Sequence, residues 1–211
     1  MSRRSYDASG RQAAAAETQA RVVATATRLM LERGYAATTV ADVAAGAEVS
    51  PALVYAAFGN KVGLLKRVLD AAIAGDDDPV AVGERPQAAA VARATSARTR
   101  CRLTGELVAD IARRTITLLP VVRDAAGVDP EIASLVEQSE LGRREGMRDF
   151  VSILEGADQL RAGLTPDRAA DLAWTLTDPA AYHRLVLQRG WSHEDFADWL
   201  GTALYDSLCR R

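Results

Sequence analysis

TTVADVAAGAEVSPALVYAAFGNK, residues Thr38 to Lys61, is the stretch on which the reading of this chain turns. Thr38-Thr39 precede a short apolar run from Val40 to Ala47. A hydroxyl in that place caps a helix, because its oxygen takes a backbone N–H that has no partner within the first turn. Glu48-Val49-Ser50 makes a brief turn, and Ser50 caps a second short helix. Pro51 falls at the first position of that helix, where a missing N–H costs nothing, and Gly59-Asn60 ends it after Phe58. Val40, Val43 and Ala44 can meet Val49, Val54 and Phe58, while the small Ala41, Ala44 and Ala45 allow a close crossing. Two short helices joined this tightly make a helix-turn-helix, whose second member must be short and capped for its N-terminal end to enter a major groove.

The flanks agree. Upstream, Val22, Ala26, Leu29 and Met30 form a stripe at helical spacing over Ala14–Arg33, and Gly34 follows in the place of a C-terminal cap. Downstream, Leu64, Leu65, Val68, Leu69 and Ala72 lie on one side of a further helix. Thr39 and Ser50 put hydroxyls and open backbone N–H groups at helix starts, Tyr55 sits within the second short helix, and Lys61 opens the next. Such groups are natural ligands of phosphate.

Gly75–Pro86 is acidic and rich in turn residues, and reads as a loop. Beyond it the pattern stays helical. Leu103, Leu107, Ile111 and Leu118 recur near every fourth residue, with a kink expected at Pro120. Asp129-Pro130-Glu131 opens a long helix through Leu154, and Thr165-Pro166-Asp167 opens another that bends at Asp178-Pro179. Ser192 caps a last helix carrying Phe196, Leu200, Leu204 and Leu208. With no strand alternation anywhere, the expected fold is all-α: an N-terminal three-helix head followed by a larger helical body.

Composition narrows the function. The 211 residues carry a net charge of −2, so the whole chain is no generic binder of polyanions. Residues 1–75 hold nine Lys and Arg against six acids, while the remainder holds 17 against 22. A mildly basic head on an acidic body suits nucleic acid at one end only. Cys101 and Cys209 stand apart without metal-ligand spacing and read as two free thiols of a reducing cytoplasm in preference to a redox switch. No run approaches a membrane span and no apolar core follows Arg3-Arg4 as in a signal peptide, so a cytoplasmic protein is expected.

At Gly34-Tyr35, Thr38-Thr39-Val40, Val43-Ala44, Val49-Ser50, Tyr55, Phe58 and Lys61, the span 17–70 resembles the DNA-binding head of the TetR family of repressors. The resemblance covers about a quarter of the chain. It implies a helix-turn-helix domain over 14–61, a body over 62–211 for effector binding and dimerisation, a homodimer, and control by a small molecule. Carried over position by position, Thr39, Ser50, Tyr55 and Lys61 become phosphate contacts, and Pro51, Ala52 and Ala56 face base edges. The chain departs from the family at Glu48, where a turn glycine is usual, at Ala52-Leu53 in place of a small-Thr pair, at Ala57 in place of His, and at Val62 in place of an acid. So apolar a recognition helix implies readout through thymine methyls, DNA shape, and a flexible basic arm over 1–13 bearing Arg3, Arg4 and Arg11.

In the body the dimer surface is expected on the helices near 166–188 and 193–209, through Phe196, Trp199, Leu200, Ala203 and Leu204. Leu118, Trp174 and Thr177 are candidates for the wall of a mainly apolar effector pocket with one polar handle. The expected partners are double-stranded DNA, a second copy of the chain and that effector, with no cofactor, no metal and no membrane. Enzymatic chemistry is not expected. His183 and His193 have no telling partners in sequence, and the acids at Asp76–Asp78 form a solvated run. The alternative is a helical small-molecule-binding or protein-interaction module whose helix-turn-helix has lost its affinity for DNA.

Overall fold

A computed structural model describes residues 3–76 and 82–209, with side chains described from Gly10 onward. Among these residues helices dominate and no strand occurs, apart from one isolated bridge between Leu160 and Cys209. No single helix among them is long and apolar enough to cross a membrane. The chain divides into two compact units, residues 1–78 with 117–133 and residues 79–116 with 134–211.

The first unit is built on α1 (Arg3–Ala37), which buries Val22, Val23, Ala26, Leu29 and Met30 along one stripe. Burying each of the larger side chains contributes about 1.5–3 kcal/mol. Gly34 breaks the helical course with φ 80 and ψ 165, a conformation that a side chain would strain. The Thr38 hydroxyl then donates to the Gly34 carbonyl at 2.9 Å, closing the corner. Three short elements follow: α2 (Val40–Gly46), α3 (Pro51–Phe58) and α4 (Lys61–Ala74). The same unit takes in α7 (Leu119–Ala126), which packs on α1. It thus reaches beyond the 14–61 expected of the head alone.

α1 starts at Arg3 and not at Ala14. Ala13–Ala16 favour helix strongly, and no proline between Arg3 and Gln12 stops it from running back toward the start. Arg11 therefore stands on a helix, where a flexible arm was expected. The side chains of Arg3 and Arg4, and Asp77-Asp78 of the acidic loop, fall outside the described residues.

The second unit holds α5 (Pro86–Arg93), α6 (Ala97–Thr115), most of α8 (Pro130–Gly156), α9 (Pro166–Leu176), α10 (Pro179–Tyr182) and α11 (His193–Leu208), with a π-helical turn at His183–Gln188. The expected starts at Thr165 and Ser192 are capped, Thr165 accepting from the Arg168 N–H and Ser192 from Asp195, and at the expected bend Asp178 caps α10 by accepting from Ala180. The helix expected to kink at Pro120 is instead interrupted before it: α6 ends at Thr115 and α7 begins at Leu119, with Pro120 in its first turn.

The seam between α6 and α11 rests on two glycines. A Cβ on Gly105 would lie 2.6 Å from the Gly201 nitrogen, and one on Gly201 would lie 2.9 Å from the Arg102 Cα. The two helices run antiparallel, with His193 near Asp110 toward one end and Cys209 beside Cys101 toward the other.

Candidate nucleic-acid interface

Thr39 and Asp42 form a reciprocal cap at the start of α2. The Thr39 hydroxyl accepts from the Asp42 N–H at 3.1 Å, the Thr39 N–H donates to Asp42 Oδ2 at 3.1 Å, and the hydroxyl donates to that same oxygen at 2.6 Å. These bonds from Thr39 hold the Asp42 carboxyl below the usual carboxylate range. The Thr39 hydroxyl proton is committed to a carboxylate, so its expected part as a phosphate donor would require that bond to open.

The turn after α2 closes in a Schellman arrangement. The Val49 N–H reaches the Ala44 carbonyl at 3.0 Å, and the Glu48 N–H reaches the Ala45 carbonyl at 3.2 Å. Glu48 sits between them at φ 56, in the left-handed region where glycine is favoured. α1 fastens this corner from behind, Arg21 Nε donating to the Ala47 carbonyl at 2.9 Å.

α3 leaves α2 at a bend of 112°, within the range of a helix-turn-helix. Ser50 caps it, its oxygen accepting from the Leu53 N–H at 3.2 Å. That bond uses only a lone pair, so the hydroxyl proton remains available to a phosphate oxygen. Val54 alone on α3 is buried, and Phe58 is half-buried. Pro51, Ala52, Tyr55 and Ala56 are all exposed, as are Leu53 and Ala57. Tyr55 is 53% exposed and Leu53 39%. A large apolar side chain left in water beside the cap of a recognition helix is the feature that the sequence reading of α3 passed over.

α4 is pressed against the end of α3. A Cβ on Gly63 would lie 2.1 Å from the Phe58 carbonyl oxygen, so only glycine fits, and Asn60 caps α4 by accepting from the Gly63 N–H at 2.8 Å. Lys61 departs from expectation. Its ammonium stands 4.1 Å from the centre of the Tyr35 ring and donates to the Ala36 carbonyl at 3.3 Å. Burial lowers its pKa, and the Asp129 carboxylate opposes that shift. Lys61 ties α4 to the end of α1, which qualifies the role of plain phosphate ligand.

The residues expected to form the dimer surface divide. Phe196, Leu200 and Leu204 are buried within the single chain on α11, which packs against α6 and α9, and so cannot be that surface. An amphipathic stripe shows that one face is covered without saying by what. Trp199 and Ala203 remain half-buried. The three expected effector residues fall in different units: Leu118 is buried in the first, and in the second Thr177 is buried and Trp174 half-buried. The Thr177 hydroxyl donates to carbonyls of its own helix, to Ala173 at 2.8 Å and Trp174 at 3.2 Å, and serves no pocket as a handle. Arg143 lies over the Trp174 ring at 4.9 Å and donates to the Trp174 carbonyl at 2.6 Å, while the indole N–H is buried without a partner. A shallow groove of about 380 Å³ in the second unit is lined instead by Leu164, Arg168, Asp171, Leu172 and Thr175.

His193 has partners that its place in the sequence did not reveal. Its Nδ1 meets the Tyr182 hydroxyl at 3.1 Å and its Nε2 meets Asp110 at 3.3 Å. Burial raises the Tyr182 pKa, and the ring packs edge-on against Phe196 at 4.9 Å. The trio joins α6, α10 and α11 and is part of the packing of the second unit. Among the described residues no cluster of three or more His, Cys, Asp or Glu could hold a metal ion.

An all-α chain whose first unit presents a capped, exposed second helix at this angle falls in the class of helix-turn-helix transcription regulators. Residues 22–68 match the family of bacterial regulatory proteins described as tetR, which assigns this head to that family's DNA-binding type. No curated protein matches the chain. Solved structures share its fold. A TetR-family transcriptional regulator from Rhodococcus sp. superposes with a TM-score of 0.68 at 18% identity, covering 92% of this chain and 98% of that one. A transcriptional regulator from Saccharomonospora viridis, solved in complex with choline, gives 0.67 at 20%, covering 92% and 99%. NalD of Pseudomonas aeruginosa, the secondary repressor of a multidrug efflux pump, gives 0.66 at 18%, covering 92% and 97%.

Proposed function

We propose that this protein is a cytoplasmic, sequence-specific transcription regulator, a repressor that binds a palindromic operator as a homodimer and is released by a small, mainly apolar effector. The observation that carries the reading is α3 itself, capped by a Ser50 hydroxyl with a proton to give and exposing every residue except Val54 and the half-buried Phe58. Ser50, Tyr55 and the Ala52 N–H, the one N–H in the first turn of α3 without a bond in the chain, would hold phosphates, and Pro51, Ala52, Leu53 and Ala56 would meet thymine methyls in the major groove. Two heads reading one operator require a dimer with half-sites about one helical turn apart, or a multiple of it. On the second unit Leu172, Leu187 and Trp191 are exposed apolar side chains suited to such pairing, together with the uncovered parts of Trp199 and Ala203. The effector would act by population shift, binding more tightly to a state that cannot reach both half-sites.

A second reading draws on the same geometry. Thr39 and Lys61 have their polar groups engaged within the head, and Glu48 adds a negative charge at the turn. A ligand-binding module that no longer holds DNA would carry such features. Selecting bound duplexes from a random pool at moderate salt separates the two. An inverted repeat is the expected product. Salt-sensitive binding without any enriched sequence would leave a non-specific binder. No binding at any salt would overturn the repressor reading in favour of the module.

A further inference from the structure

Cys101 and Cys209 lie 108 positions apart in sequence, yet their Sγ atoms are 3.7 Å apart in the interior of the second unit. Both are fully buried. Cys101 stands on α6, one turn from the glycine seam with α11. Cys209 is the first residue past α11, with extended backbone at φ −106 and ψ 159. It is held from two directions: its N–H donates to the Tyr205 carbonyl at 3.0 Å, and it bridges to Leu160 while the Arg161 N–H donates to the Leu208 carbonyl at 2.8 Å. A disulfide of about 2.05 Å needs the two sulfurs to close by about 1.7 Å, a movement that side-chain rotation and a small shift of the chain end can supply. Two thiols in contact are thus presented where the sequence showed only two scattered cysteines.

We propose that Cys101 and Cys209 are a thiol modification site, closing a reversible intramolecular disulfide when a hydroperoxide reaches the second unit. The contact is an S–H···S hydrogen bond. With Cys101 as the donor it lowers the Cys209 pKa and raises that of Cys101, so Cys209 supplies the attacking thiolate and Cys101 resolves. Cys209 sulfur attacks the peroxide oxygen and the O–O bond breaks. The sulfur becomes a sulfenic acid, and the departing oxygen takes the thiol proton as an alcohol, or as water from hydrogen peroxide. Cys101 sulfur then displaces the sulfenic oxygen, which leaves with the Cys101 proton as a second molecule of water. In sum, two thiols lose two protons and two electrons, and one hydroperoxide is reduced to an alcohol and water. Because both sulfurs are buried, the first step waits on local opening of the backbone around Cys209 at the end of α11, and oxidation is slow beside that of an exposed thiol.

The test uses the full-length protein treated with hydrogen peroxide, quenched, unfolded in urea and alkylated. The expected result is that both free thiols vanish together and the chain loses two hydrogens in mass. It stays monomeric on a non-reducing gel, yields a peptide pair linked through Cys101 and Cys209, and regains both thiols with dithiothreitol. The oxidised protein should also show a higher urea midpoint than the reduced one, since the closed loop restricts the unfolded chain. The proposal is overturned by thiols that remain fully alkylatable, by cross-links between chains, or by oxygen added to either sulfur in place of the bond. Cys101→Ser supplies the check on order: it should trap Cys209 as a sulfenic acid, whereas an unreactive Cys209 in that variant would refute its role as the attacking group.

Discussion

Replacing Glu48 by glycine should strengthen the protein and its hold on DNA at once, through two separable causes. Glu48 occupies the residue just past the C-cap of α2, at φ 56, where its own N–H closes back on the Ala45 carbonyl and that of Val49 on the Ala44 carbonyl. An L-residue in that conformation costs about 1–2 kcal/mol that glycine escapes, while glycine gives back about 0.5–1 kcal/mol through its freer unfolded chain. The balance is a gain of about 0.5–1 kcal/mol. For a chain of this length that is a rise in melting temperature of about 1–4 °C. Glu48 is exposed, so its charge enters differently. A carboxylate about 10 Å from a phosphate repels it by about 0.4 kcal/mol in water, close to a twofold change in affinity, and less once salt exceeds 0.1 M.

Glu48→Gln divides the two causes, because it removes the charge and keeps the strained backbone. Thermal melts and operator binding at two salt concentrations should show glycine raising both quantities and glutamine raising affinity alone. Glu48→Asn, which tolerates the left-handed region, should fall between them in stability. If glycine and glutamine prove equally stable, the turn is not strained as argued. If neither changes affinity at low salt, Glu48 does not face the phosphates.

The other predictions follow from particular contacts. Phe196→Ala should lower stability by about 3–5 kcal/mol in denaturant unfolding while leaving the self-association constant measured by sedimentation unchanged, since this ring is core and not dimer surface. Gly105→Ala, whose Cβ would meet the backbone of α11 at 2.6 Å, should cost about 1–3 kcal/mol by the same measurement. Lys61→Gln should change the salt slope of DNA binding by less than one phosphate contact if the ammonium stays on Tyr35 and Ala36, and by about one if it turns to DNA. Thr39→Ala should cost about 0.5–2 kcal/mol as a lost cap and return the Asp42 carboxyl toward its ordinary range, followed by carboxyl NMR titration. Because the Asp42 pKa is depressed in the folded chain, the pairing stabilises at neutral pH and fades as pH falls through the carboxylate range; the variant should lack that dependence.

What could be read ahead of the structure, and what could not, follows from the range of the interactions. Ser50-Pro51, Thr39 and Gly34 act within a few residues, so the corners of the head were legible: their chemistry fixes φ, ψ and a cap wherever the chain goes next. The stripes on α1 and α11 were legible as buried faces, but burial has no address in a periodicity. Phe196 and Leu200 looked like a surface for a second copy because α6, their true cover, lies about ninety residues earlier in the chain. The contacts that no local pattern announces are those between distant small or polar groups: Gly105 against Gly201, Lys61 over Tyr35, and Cys101 against Cys209. In each the residue type is unremarkable alone and acquires meaning from its neighbour. The same holds for Asp42, which looked like one more surface acid on α2. With Asp42 beside Thr39, the capping hydroxyl that seemed free to meet DNA already has a negative partner. On the proposed reading the phosphate contacts of this head fall to Ser50, Tyr55 and the Ala52 N–H, which is the reason to test DNA binding through α3 before anything else.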